Sequence, residues 1–313
     1  MQLKARAPGS LMLLGEHAVL HGKNAIVCAV DKYITATLEL REDNRIIIYS
    51  ALGNYSTDIK NIKIEKPFQF VLAALQSFQN EMQHGFELKI ESEFSDKIGF
   101  GSSSAVTVAT LHVLANYLNV KLSQTELVKR GRDIVRQIQG VGSGADIAAS
   151  VYGGIVGYLS DPVNVETISV TLPLHAIYSG YKTKTADVIK HVKNKFTDNT
   201  DQFTEICDRI GKCSSDGIEF LHNSNMESFG HTMNVQQEMM QELGVSSDLL
   251  DGIIMDLRKQ NNILGAKISG SGMGDCVIAL GDLSNEYECK IQDKILQRIP
   301  IQIPMQGVMC EKI

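Results

Sequence analysis

Apolar and polar residues alternate along "YITATLEL" (33–40) and "FELKIESEF" (86–94), the period-two pattern of strands with one face in a core and one in water. "NAIVCAV" (24–30) and "RIIIYS" (45–50) are β-rich patches that predict further strands. After Pro67 the period lengthens. "FQFVLAALQSFQNEM" (68–82) has helical spacing with proline at its start, where a missing N–H costs nothing. "AVTVATLHVLANYL" (105–118) reads as a buried helix. Another helix starts at the N-cap candidate Ser123, with Glu126 at the capping-box position, and a third lies within "GADIAASV" (144–151).

After "YGGIVGYL" (152–159), the stretch "SDPVN" (160–164) reads as the junction of two lobes, 1–163 and 164–313. In the second, "HAIYSGY" (175–181), "ILGAKIS" (263–269) and "DCVIALG" (275–281) predict strands, and helical patterns fill roughly 184 to 260. "SNEYECKIQDKILQRI" (284–299) predicts a helix, and "IQIPMQGVMCEKI" (301–313) a closing strand or pair. Strands followed by helices, without regular βαβ alternation, indicate the α+β class.

Composition narrows the function. With 43% hydrophobic and 21% charged residues among 313, the chain can bury a substantial core. A net charge of −6 argues against a nucleic-acid or anionic-membrane partner, which would require clustered Lys and Arg. The longest clean apolar run, "AIVCAV" (25–30), is too short to cross a bilayer, and Glu16 and His17 interrupt the first apolar stretch too early for a secretory signal. A cytoplasmic location is the expectation. The six cysteines (28, 207, 213, 276, 289, 310) include no CxxC pair and read as free thiols.

Three glycine-rich loops carry the candidate chemistry. "IGFGSSSAV" (98–106) is not a Walker A loop. Ser104 replaces the last glycine of GxGxxG, and Ala105 that of the nucleophile elbow GxSxG. Its glycines allow close backbone approach, and Ser102 to Ser104 open a helix whose free N–H groups suit an anion; a capped glycine-rich turn is the plainer alternative. "QGVGSGADIAASVYGG" (139–154) holds Asp146 among small apolar residues, where it is either an N-cap or a general base. "KISGSGMGDCVIAL" (267–280) is a third such loop, or a hairpin. Glu16 and His17 interrupt "PGSLMLLGEHAVLHG" (8–22). His17 and His21 have metal-ligand spacing, but a strand-and-turn pattern around them argues against a metal pair.

Taken in this order and spacing, "PGSLMLLGEHAVLHG", "IGFGSSSAV" and "KISGSGMGDCVIAL" resemble the three signatures of the GHMP kinases. The resemblance implies a two-lobed fold: an N-terminal lobe like ribosomal protein S5 domain 2 and a ferredoxin-like C-terminal lobe, with ATP and an acceptor bound between them. "GEHAVLHG" resembles the mevalonate kinase branch, which implies transfer of the γ-phosphoryl of ATP to the primary hydroxyl of mevalonate. By the same resemblance Asp146 is the catalytic aspartate and Ser103 binds Mg2+. Lys97, Ile98, Gly99, Phe100, Gly101, Ser102, Ser103 and Ser104 wrap the phosphates of ATP. Glu16, His17, Gly270, Ser271 and Gly272 lie around the acceptor. Family members include dimers, so a homodimer is an expected assembly.

Two departures stand out. The family's first-signature lysine is Ser10 here; Lys182 and Lys184 in "GYKTKTADV" are the candidates to replace it, with Lys267 behind them, and a solvated basic loop is the alternative. The branch's magnesium-binding glutamate falls at Val135; Asp133 would serve only with a shifted helix register, and water is the other candidate. "VGSGADIAAS", "GYKTKTADV" and "GMGDC" resemble the phosphomevalonate kinases equally well. There the basic run Lys182, Lys184, Lys190, Lys193 and Lys195 would meet a substrate phosphate. Another kinase of the family, or a non-catalytic ligand-binding member, completes the alternatives.

Overall fold

The computed structural model describes residues 2–95, 97–291 and 294–313. Strands β1 (Gln2–Leu14) and β2 (Ala25–Leu40) form a long antiparallel hairpin, bent by register shifts at Pro8/Gly9 and Met12/Leu14. Strand β3 (Arg45–Ser50) pairs with β4 (Gly53–Asp58) and runs parallel to β5 (Phe86–Ser92), which joins the outer half of β2. The inner half of β2 pairs with β6 (Ile155–Leu159), and β6 with β7 (Asn164–Ile168). Residues 160–163 are therefore the turn of a hairpin within this sheet. The expected division at 163/164 runs through that hairpin, and the chain leaves the sheet after Ile168.

Helices α1 (Gln69–Gln76), α2 (Ser102–Tyr117), α3 (Gln124–Gln139) and α4 (Ala145–Tyr152) follow the strands, as the pattern predicts, and cover one face of the sheet. Leu72, Val108, Leu111 and Ile147 pack with Ala5, Val27 and Leu38 there. The capping box of α3 forms: the Glu126 amide donates to Ser123 Oγ, and the Ser123 amide to Glu126 Oε2. No helix among the described residues is long and apolar enough to cross a membrane.

The second sheet has strand order β13 (Gln297–Ile299), β8 (Leu174–Tyr178), β10 (Cys276–Gly281), β9 (Ile263–Ser269), antiparallel throughout. Between β8 and β9 run α5 (Thr185–Lys195), α6 (Thr200–His222), α7 (Met226–Glu242) and α8 (Asp248–Arg258). The order is ferredoxin-like, but the helix expected at 284–299 is replaced by the short hairpin β11 (Lys290–Ile291) and β12 (Lys294–Ile295), then β13. Gln292 and Asp293 lie outside the described residues. Cys289 and Ile291 alternate inward instead of sharing a helical face, and Ile291 packs close against Gly252 of α8. The last strand, β14 (Met309–Lys312), returns to the first sheet beside β1.

The two sheets pack face to face around β1 and β2. Leu11, Leu13, Ile26 and Cys28 meet Leu174, Ala176, Ile278 and Leu280. Both faces of "NAIVCAV" are thus buried, which explains its unbroken apolar character. The ends of these layers, where α2 and α4 begin and β9 passes into β10, frame a cleft.

Candidate active site

The cleft is assembled from loops that the core holds from below. Phe100 is buried against Phe94, its carbonyl accepts the Ser10 amide at 3.2 Å, and the Cys276 thiol donates to the Ile98 carbonyl. Ile98 and Phe100 therefore anchor the loop from inside, while Gly99, Gly101 and Ser102 to Ser104 line the cleft. Lys97 is exposed. Gly101 caps α2 with φ 61, a left-handed conformation that favours glycine; a Cβ there would run into Ser10 Oγ. The first amides of this 16-residue helix open toward the cleft, giving a cradle for anionic oxygens.

Asp146 faces that cradle. The N-cap of α4 is Gly144, and Asp146 is the second helical residue, so the capping role open in the sequence is not the one found. Its Oδ1 accepts a hydrogen bond from Ser10 Oγ at 2.7 Å. Burial pushes the carboxyl above its ordinary range; the Ser10 bond and the charge of Lys182 oppose this, and Glu16 adds to it. The preceding loop is held firmly: Tyr158 Oη and Ser160 Oγ both donate to the Ser143 carbonyl, and Arg136 donates to that of Gly142. Arg132 and Arg136 share Asp161 beneath it.

Glu16 and His17 line the opposite wall and bind the second lobe. Glu16 Oε1 receives Lys267 Nζ at 2.5 Å, and Oε2 receives Gln236 Nε2. This carboxylate is engaged in a fully buried ion pair, and Lys267 is occupied there rather than free to replace a catalytic cation. Burial lowers the pKa of Lys267, with Glu16 opposing. His17 Nε2 lies 2.8 Å from the Ser271 carbonyl, which requires the Nε2–H tautomer, and burial holds the ring neutral by lowering its pKa.

Other expectations separate. Lys182 lines the cleft. Lys184 does not; it sits at the exposed start of α5, where its carbonyl accepts the first helical bonds. Gly270 and Ser271 line the cleft, whereas Gly272 lies against Val245. Asp133 stays outside: its side chain is 64% exposed and pairs with Arg132. The α3 residues facing the cleft are Val135 and Gln139, and two residues back along a helix is about 200° around it. The sequence reading missed Asp275, the lone acid of the third loop, which is 6% exposed on the cleft wall. Among the described residues its Oδ1 and the buried Ser271 Oγ have no hydrogen-bond partner.

An anion cradle facing a desolvated carboxylate, in a cleft between two lobes, is the equipment of a phosphotransferase acting on a small molecule. Comparison with known proteins agrees. The family model of the GHMP kinases N terminal domain matches residues 69–154, and that of the GHMP kinases C terminal domain matches 218–290. A mevalonate kinase of Saccharolobus solfataricus is 30% identical over 311 residues, covering 95% of this chain and 98% of the relative. The crystal structure of the Methanococcus jannaschii mevalonate kinase superposes with a TM-score of 0.80 at 25% identity, covering 96% of this chain and 98% of that one. That of the Lactococcus lactis galactokinase complexed with galactose gives 0.83 at 20% identity, with 98% and 95% covered. The chain belongs to the GHMP kinase family. It is an ATP-dependent small-molecule kinase.

Proposed function

We propose that the acceptor is mevalonate and that the product is 5-phosphomevalonate. The observation that carries the mechanism is the Asp146 carboxylate, fixed by Ser10 beside the open end of α2 and desolvated there. The triphosphate of ATP lies along Gly99 to Ser104, its oxygens received by loop and helix amides. The primary hydroxyl of the acceptor rests against Asp146, which takes its proton as the hydroxyl oxygen attacks the γ-phosphorus and ADP leaves. Lys182, the cleft-facing lysine of the two candidates, supplies positive charge where Ser10 replaces the family lysine.

The oxygen donors of the cleft suit a hard cation: Ser103 lies at the start of α2, and the carboxylates of Asp146 and Asp275 line the same cleft. Ser103 would hold Mg2+, and the cation when bound neutralises phosphate charge. The choice of mevalonate is supported by the resemblance of "GEHAVLHG", whose Glu16 and His17 line the cleft, and by relatives named mevalonate kinase. The test is ADP release with Mg·ATP and a panel of acceptors. Release that requires mevalonate supports the reading; release that requires 5-phosphomevalonate, galactose or homoserine instead replaces it.

A further inference from the structure

The loops from which Lys182 and Asp275 project are stitched together on both sides of the lysine. The Asp275 amide donates to the Tyr181 carbonyl at 2.9 Å, and the Ser179 amide to the Asp275 carbonyl at 3.0 Å. Ser179 Oγ also reaches the Tyr181 carbonyl, and Thr183 Oγ1 donates to the Met273 carbonyl at 2.5 Å. Lys182 thus sits between two anchored neighbours, and its ammonium lies 4.0 Å from Asp275 Oδ1.

The Asp275 carboxylate itself is wedged between Gly99 of the first glycine-rich loop and Gly270 of its own. A Cβ at Gly99 would stand 2.8 Å from Asp275 Cβ and 3.0 Å from Oδ1, and one at Gly270 would stand 3.5 Å from Oδ2. A buried carboxylate beside a phosphate cradle repels the phosphates it adjoins unless a cation stands between them. The cation here is Lys182, whose field also reaches Asp146 across the cleft.

We propose that Asp275 is a positioning residue that holds the Lys182 ammonium over the phosphoryl-transfer position, so that the two act as one unit in place of the lysine missing at Ser10. This rests on the kinase reading above. The carboxylate fixes where the charge stands; the ammonium meets the phosphoryl oxygens as charge builds on them. The effect falls on turnover more than on binding, because a flexible lysine still neutralises a bound nucleotide but no longer meets the transition state in register.

The test compares wild type, Asp275→Asn, Lys182→Ala and the double variant at saturating Mg·ATP and acceptor, with ADP affinity measured by calorimetry. Asn retains the shape of Asp and tolerates the left-handed φ of 65 at this position. Lys182→Ala is expected to lower kcat by about 100-fold and to weaken ADP binding as well, because it leaves the Asp275 carboxylate unshielded; Asp275→Asn, which keeps the lysine, is expected to lower kcat by about tenfold or more with ADP affinity little changed. The double variant should be no slower than Lys182→Ala alone, the non-additivity of one unit. A wild-type kcat in Asp275→Asn, a double variant showing the product of the two losses, or a loss confined to ADP affinity would each overturn the assignment while leaving the kinase reading intact. A wild-type protein without acceptor-dependent ADP release would overturn both.

Discussion

Ser10 and Asp146 lie 136 positions apart in the chain and are joined by a 2.7 Å hydrogen bond in which the serine hydroxyl donates to the carboxylate. The bond favours the ionised form of Asp146, against burial that disfavours it. Ser10→Ala removes the donor, so the carboxyl pKa rises further. A base acts only when deprotonated, so the acid limb of the kcat profile should move to higher pH, with the largest loss of rate on the acid side. A pH–rate profile checks this, and an unmoved limb would contradict it.

Gly101→Ala tests the cradle. The added methyl meets Ser10 Oγ and must adopt a left-handed backbone, at a cost of about 1–2 kcal/mol before the clash is counted. Displacing Ser10 disturbs both the cradle and the support of Asp146. Calorimetry should show nucleotide affinity reduced, and turnover should fall with it.

The buried Glu16–Lys267 pair ties the end of the β1–β2 hairpin to β9. Lys267→Met strands a buried carboxylate and is expected to cost about 3–5 kcal/mol in urea unfolding. The double variant Glu16→Gln/Lys267→Met should recover much of that loss, since neither charge remains. Equal losses in the single and double variants would rule out the pair as the cause.

Ser123→Ala provides a control distant from the chemistry. Losing the capping box of α3 should lower stability by about 1 kcal/mol, measured by denaturant midpoint, with kcat unaltered.

What could be read in the chain was what depends on neighbours in sequence. The Ser123–Glu126 box is three residues long, and the glycines of the three loops advertise close backbone approach wherever they fold. Side-chain direction is a different matter. Val135 rather than Asp133 faces the cleft because of the phase of α3, set by how its apolar stripe of Leu127, Val128, Ile134 and Val135 seats on the core. Lys182 and Lys184 look equivalent in "GYKTKTADV" until the bonds from Asp275 and Thr183 fix the loop. Nothing in the third loop's own sequence marks Asp275; its burial depends on Gly99 and Lys182, contributed by other loops, as well as on Gly270 of its own. The 284–299 segment misled because its apolar residues fit a helical period nearly as well as the alternation it adopts.

The most direct measurement is identification of the product formed from Mg·ATP and mevalonate by wild type and by Asp146→Asn, using 31P NMR with mass spectrometry. The account predicts 5-phosphomevalonate from the wild type. It also predicts a rate lower by about 100- to 10,000-fold in Asp146→Asn, with melting temperature and nucleotide affinity nearly unchanged. No phosphorylated mevalonate from the wild type, or an Asp146→Asn variant that loses stability but keeps its rate, would contradict it.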